Sequence, residues 1–550
     1  MLKNSRKAAV TVLACMLAGG CGQTAEQDGG TDAKPYVDIS LYSDVNFWKL
    51  PEWDTAEGTI TGEITKQTGV TVDAEIPMKE ADTRLKLMLL DDELPDVISV
   101  IDSTTVNQLV TSGKVWKINE FLKTYKPDSH LLTEFPEDIK QELIKRDGGW
   151  YALPSHLNSK DARDIWKPCD EYWEDVVAYS DNNAIIWNKN LLEQLGIDIS
   201  GVVAQEDVFA VLERAKRSGL KLDGQSIIPL LPDGNDYRST TLKFLLENFG
   251  AEWVDKNGDY QDNILQPEAK EALKFVNTAV RNGYIDPEHF KLESSQIYDL
   301  ARSGRALCFI GNIADVAVTE EDWLSTGVVL SETGSVPVQG KNLRATAGWI
   351  QTFISKDCRH PKEIAAWVDY MTSEEGKMLC TYGFPEKDYT VGEDGQIHRT
   401  EEGRKKEAAH AQTGMTAFWM FANTAWARSK TLEGEENGRL VLAYGMYPQT
   451  VQYDSSLLMF PADLFSKDSE AGVMEQEVSA WKESQILVTV LAENEAEFER
   501  EYKMLTEGLR ERGIEKADAV KNQEYRKNCR EYQSYIEKIN SGSEDLEYDQ

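Results

Sequence analysis

Long apolar runs are scarce in this 550-residue chain. The stretch from Ala8 to Ala18 falls short of the roughly 20 residues that a spanning helix needs, and no later run reaches that length, so nothing else is read as crossing a membrane. Basic charge is also in short supply. The 59 Lys and Arg face 94 Asp and Glu, for a formal net charge of −35. Such an acidic chain repels nucleic acid and anionic lipid surface, which excludes both as partners. Cysteine is sparse and scattered. Of the seven, the five downstream of Cys21 (Cys169, Cys308, Cys358, Cys380 and Cys529) are odd in number and never in a C-x-x-C arrangement. That pattern argues against a disulfide framework and a structural zinc, and reads as free thiols in a large core. The histidines His130, His156, His289, His360, His398 and His410 are nowhere at metal-ligand spacing. G-x-S-x-G, the P-loop, G-x-G-x-x-G after a strand and H-E-x-x-H are all missing. Carboxylate pairs are too common here to signal a glycosidase. No catalytic residue, cofactor or metal is expected.

The chain opens with Lys3, Arg6 and Lys7, the apolar run, Gly19, Gly20 and Cys21, and then a polar stretch from Gln23 to Lys34. This is the layout of a secretory signal. It resembles a bacterial lipoprotein signal, which implies lipidation of Cys21, with Ala18 where Leu is usual and Leu17 one step back. Residues 1–20 are thus expected as a signal peptide and 21–35 as a flexible tether.

Further on, strands alternate with helices. Val37 to Tyr42 alternates with period two. Thr59 to Gln67 has a helical pattern stopped by Gly69, and Val70 to Val72 is a second strand. Asp82 is placed to cap the next helix, with Leu85, Met88 and Leu89 on one face. Asp96 to Ile101 is a continuous apolar strand of the kind buried in a parallel sheet. Ala184 to Trp187 runs into a helix from Lys189 to Leu195. Pro267 to Arg281 is amphipathic, and Ala306 to Ile310 is another buried strand. The order predicts an α/β fold. Val254 to Tyr260 faintly echoes a calcium loop. It lacks the closing glutamate and reads as a hairpin with an Asn-Gly turn. Helices with short turns fill about 470–540, and 541–550 is an acidic, frayed tail.

Four stretches carry a family resemblance. They are Thr68-Gly69-Val70-Thr71-Val72 with Leu94-Pro95-Asp96-Val97-Ile98; Ala184-Ile185-Ile186-Trp187-Asn188-Lys189 with Leu191 to Gly196; Ser303-Gly304-Arg305-Ala306 through Gly311; and Ile354-Ser355-Lys356 with Pro361 to Ala365 and Met371 to Gly376. In this order they resemble the family 1 extracellular solute-binding proteins, the maltose-binding-protein group, and most of all its long LipO-type lipoproteins. The resemblance implies a two-lobed fold (class II) with a hinge, an interlobe cleft and a C-terminal helical extension. The lobes are expected as 36–152 with 329–383, and 153–328 with 384–540. It also implies a lipid-anchored, monomeric protein on the outer face of the cell membrane that delivers a carbohydrate, an oligosaccharide in the first instance, to the permease subunits of an ABC importer.

In such sheets the ligand sits beyond the carboxyl ends of strands. That rule selects Asp44 with Ser43, Trp48 nearby, Asp102, Asn312, and His156 after Leu153-Pro154, for which a capping or hinge role stands as the alternative. Trp349 precedes a strand aimed at the cleft. By resemblance, Trp187 takes the place of the family's sugar-stacking tyrosine, and Met415-Thr416-Ala417-Phe418-Trp419 matches the motif whose tryptophan stacks on sugar. Aromatic faces and hydrogen-bonding edges suit a sugar ring. Trp166, Tyr172 and Trp173 lie in an insertion over 155–183, read equally as a cleft wall or a packed surface excursion. A sugar-sensing lipoprotein facing a membrane kinase and an exported carbohydrate-active enzyme are the competing readings.

Overall fold

The computed structural model describes residues 36–540, apart from 47, 79, 168–175, 177–180, 317, 319–320, 342–347, 394, 432–434, 462–463 and 466–468. The expected signal peptide, tether and tail, together with Cys21, Cys169, Tyr172 and Trp173, therefore lie outside the described residues.

Two sheets organise the chain. The first runs in the order Val70–Glu75, Val37–Ser43, Val97–Val100, Gln351–Ile354, Leu153–Pro154. Its first three strands are parallel, and Gln351–Ile354 is antiparallel to both neighbours. The second runs Trp323–Ser325, Asn183–Asn188, Ala306–Asn312, Ile228–Pro232, with only the last pair parallel. Val97–Val100 and Asn183–Asn188 are buried at every position, as continuous apolar strands should be when helices cover both faces.

Local chemistry sets the helix ends. The Thr59 hydroxyl accepts the Gly62 N–H at 3.0 Å to start helix Ile60–Thr68, and Gly69 ends it with φ of 71°. Asn188 likewise caps Lys189–Leu195, its Oδ1 accepting from Leu191 N at 3.1 Å. Helix Ala81–Leu90 departs from expectation. Glu80 occupies its cap position with φ of 55°, so Asp82 falls inside the first turn. The Val254–Tyr260 hairpin is present, with Gly258 at φ of 75°. The Asp255 carboxylate accepts from Asn257 N, and the last long helix ties down Asp259 through Arg526 Nη2 at 2.5 Å and Asn522 Nδ2 at 2.7 Å. Cys308, Cys358, Cys380 and Cys529 are free thiols.

Each sheet has its own core, and the cores relocate the lobe boundaries. Met415, Ala417, Phe418, Met420 and Phe421 are buried with Ile39, Val97 and Ile354 in the first core, and Trp426 packs with Tyr382 and Tyr389. The segment 384–430, expected in the second lobe, thus belongs to the first. Leu153 and Leu157 also lie in the first core, while Val328, Val329 and strand Val338–Lys341 sit with the second. Among the described residues, Leu153 and Leu157 thus lie on the far side of the expected bound at 152, Val338–Lys341 on the far side of that at 328, and Met415–Phe421 on the far side of that at 383. The reason is side-chain packing: these residues are apolar in either setting, and only contact shows which core they fill. Helices Glu470–Val490, Glu495–Glu511 and Ile514–Asn540 cover the second core through Ile486, Phe498, Leu505 and Ile514. No helix among the described residues is long and apolar enough to cross a membrane.

Candidate ligand-binding site

The carboxyl ends of the first sheet's parallel strands, the start of Gln351–Ile354 and the end of Leu153–Pro154 lie on one side of the lobe. Val37–Ser43 delivers Asp44, which accepts N–H groups from Ile101 at 3.0 Å and Asp102 at 3.5 Å. Burial, aided by the neighbouring Asp102 charge, holds the Asp44 carboxyl above its usual range. Asp102 itself caps helix Ser103–Ser112, taking the Thr105 N–H and hydroxyl, each at 2.7 Å. Both bonds go to Oδ2, so that oxygen is engaged locally.

Four of the expected residues converge on one aromatic cluster. Trp48 stacks on Trp419 with ring centroids 3.9 Å apart and planes 19° apart. Trp419 meets Trp349 at 5.8 Å and the edge of His156 at 6.0 Å, and His156 meets Trp349 at 5.5 Å. Tilted and edge-on contacts suit the ring quadrupoles. His156 is held with φ of 55°; its N–H donates to Ala422 O at 2.6 Å, and its Nδ1 lies 2.7 Å from Ser155 Oγ. A non-glycine residue in the left-handed region is sparsely populated, so the surroundings impose this orientation. Trp349 is 41% exposed and presents the open indole surface of the cluster. Among the described residues Trp48 Nε1 has no hydrogen-bond partner, and Trp48 borders a cavity of about 20 Å³, room for about one water.

The cluster has a fifth member that sequence reasoning passed over. His410 lies flat on the other face of Trp48, 3.8 Å away and 3° from parallel. Burial lowers its pKa. No motif marks His410; only the fold brings it under Trp48.

Two expected residues lie elsewhere. Trp187 is 0% exposed within the second core, where its indole N–H donates to Thr326 Oγ1 at 3.1 Å. Its strand is covered on both faces, so the ring packs against helices of its own lobe. Asn312 ends Ala306–Asn312 in the second lobe. Its N–H donates to Asp233 Oδ2 at 2.8 Å, and its Oδ1 accepts from Ala314 N at 3.1 Å.

Asp233 was not singled out, although it follows strand Ile228–Pro232 and the strand-end rule reaches it. It is 3% exposed, and burial pushes its carboxyl up to about 6 from 3.8. The folded chain therefore keeps a proton that the unfolded chain gives up near pH 4. This contribution to stability is complete below that pH and is lost as the pH rises through about 6. Asp233→Asn keeps an acceptor for the Asn312 N–H and removes the charge. It is expected to match the wild type near pH 4 and to be more stable by about 2 kcal/mol at pH 7. Denaturant unfolding at the two pH values checks this.

The second lobe also holds a charge network around the buried Glu247. Lys243 Nζ lies 3.3 Å from Glu247 and 3.5 Å from Asp181, which precedes strand Asn183–Asn188. The Lys243 charge helps to keep Asp181 ionised, whereas burial raises Glu247.

The chain belongs to the family of bacterial extracellular solute-binding proteins, whose model matches residues 54–378. Among characterised relatives it is similar to a polygalacturonan/rhamnogalacturonan-binding protein of Bacillus subtilis, 22% identical over 407 residues that make up 71% of this chain and 75% of the relative. Among solved structures it is similar to the substrate-binding protein FusA of S. pneumoniae in complex with fructo-nystose, with a TM-score of 0.62 and 16% identity over 91% of this chain and all of the other. It is also similar to the HMO-binding, ABC-transporter-associated solute-binding protein of Bifidobacterium longum infantis, with a TM-score of 0.60 and 14% identity over 89% of this chain and 98% of the other. These structures share the two-lobed α/β fold of periplasmic solute-binding proteins.

Proposed function

We propose that the protein is the extracytoplasmic binding component of a carbohydrate ABC importer and holds an oligosaccharide between its lobes. The observation that carries this reading is the cluster of Trp48, His156, Trp349 and Trp419, with Trp349 open at its edge. Aromatic faces cover the weakly apolar faces of a pyranose, and Asp44, Asp233 and Asn312 at the strand ends offer acceptors and donors for hydroxyls. The saccharides named for its relatives support this ligand class. Binding without turnover is part of the proposal, supported by relatives that are named as binding proteins. In this reading the chain is exported, Cys21 bears the lipid, and the monomer, closed around its sugar, docks on permease subunits.

The test is thermal unfolding of the protein against neutral and acidic mono- and oligosaccharides. A ligand at 100 times its dissociation constant is expected to add about 2.7 kcal/mol of stability. A stabilising sugar recovered unchanged supports the proposal. A consumed sugar indicates an enzyme, and no shift across the panel removes carbohydrate as the ligand.

A further inference from the structure

A cavity of about 740 Å³ opens in the first lobe beside the aromatic cluster. Pro154, Leu157 and Ala422 line it, so it adjoins the seam where the His156 N–H meets Ala422 O. Trp166 from the insertion, Lys377 and Asn423 complete its chemistry. Lys377 is the notable group. It is 9% exposed, and its Nζ lies 4.7 Å from the Trp166 ring centroid and 5.1 Å from that of Trp426.

Among the described residues no acceptor is hydrogen-bonded to this ammonium. The nearest carboxylate, Glu374, is 4.0 Å away and already receives Lys430 at 2.6 Å and the Trp426 indole N–H at 2.7 Å. Burial lowers the Lys377 pKa to about 8, so at neutral pH most molecules carry a charge there that lacks a close partner. Asn423 uses its Oδ1 to accept the Trp426 backbone N–H at 3.0 Å, which leaves its amide hydrogens for the cavity. The lining acids are largely engaged. Asp164 pairs with Lys160 at 2.5 Å, Glu137 pairs with Lys140, and Asp161 accepts the Asp138 N–H at 3.0 Å. His130 contacts Asp369 at 2.9 Å. Lys377 and Glu134 remain. One buried cation without a hydrogen-bonded acceptor among the described residues, and one acceptor carboxylate, with aromatic and aliphatic walls, match a ligand with a single carboxylate and several hydroxyls.

We propose that this cavity is a second binding site, for a sugar acid such as a hexuronate, with its carboxylate on Lys377 Nζ and Asn423 Nδ2, a hydroxyl on Glu134, and its apolar face against Leu157 and Trp166. The proposal does not depend on what the cleft binds.

The test is calorimetric titration of the full chain with galacturonate, and with galactose as the neutral counterpart, for the wild type, Lys377→Met and Trp349→Ala. Lys377→Met is expected to weaken galacturonate binding about tenfold or more, through loss of a charge-assisted bond. Trp349→Ala is expected to leave it unchanged, and galactose to show no binding that depends on Lys377. In the wild type, galacturonate affinity should fall between pH 7 and pH 9.5 as Lys377 loses its proton near 8. The pH series also probes Lys377 without a substitution. The proposal is overturned if galacturonate does not bind, if Lys377→Met leaves its affinity intact, or if only Trp349→Ala abolishes it.

Discussion

Trp349→Ala is expected to weaken binding of the stabilising saccharide about thirtyfold, while the unfolding temperature stays close to that of the wild type. Trp349 stands at the open edge of the cluster, with 41% of its surface exposed, a tilted contact to Trp419 and an edge-on contact to His156. Removing it opens little of the core, so its effect on stability should lie within about 0.5 kcal/mol, as for most surface positions. A sugar ring laid on the indole buries apolar area on both partners, worth about 2 kcal/mol. That energy corresponds to about a thirtyfold change in dissociation constant. Calorimetric titration of both proteins reads the difference directly. An unchanged affinity would remove Trp349 from the ligand contact surface and, with it, the main argument for an aromatic platform at this edge.

Trp187→Ala should show the opposite balance. The ring is fully buried among Ile185, Leu191 and Leu230, and its N–H is satisfied by Thr326. Truncation leaves a large cavity and an orphaned hydroxyl, and is expected to destabilise the protein by about 4 kcal/mol. The fraction that remains folded should bind saccharide with near wild-type affinity. Denaturant unfolding measures the first quantity and titration below the transition the second. A large loss of affinity at unchanged stability would return Trp187 to the cleft, against its present position in the core.

These two tryptophans show how far the site was legible. Trp187 sits in a stretch that resembles a sugar-binding family, Trp349 just before a strand aimed at the cleft, and both were expected to touch ligand. Trp419 and Trp48 join Trp349 because strand ends and the 415–419 motif point to the same side of the first sheet. Trp187 follows a strand pattern just as clear, but alternation along a strand does not say which face looks toward ligand when helices cover both. Asp102 illustrates a different ambiguity. An aspartate after a strand and before a helix serves equally as ligand contact or N-cap, and here it caps Thr105. His410 and Lys377 carried no signal at all. Their roles come from partners far away in sequence: Trp48 for the one, Trp166 and Trp426 for the other.

Sequence alone determined the alternation of strands and helices, many of the helix ends, the acidic character and the family. These depend on interactions within a few residues: capping side chains such as Thr59 and Asn188, left-handed glycines such as Gly69, and apolar periodicity. Tertiary structure decided which lobe owns residues 384–430, that Trp187 is core, that His410 backs Trp48, and that Lys377 faces a cavity. Each of these depends on packing between segments tens to hundreds of residues apart. An apolar or aromatic residue is equally suited to either core, and only the closed arrangement of the chain assigns it to one of them.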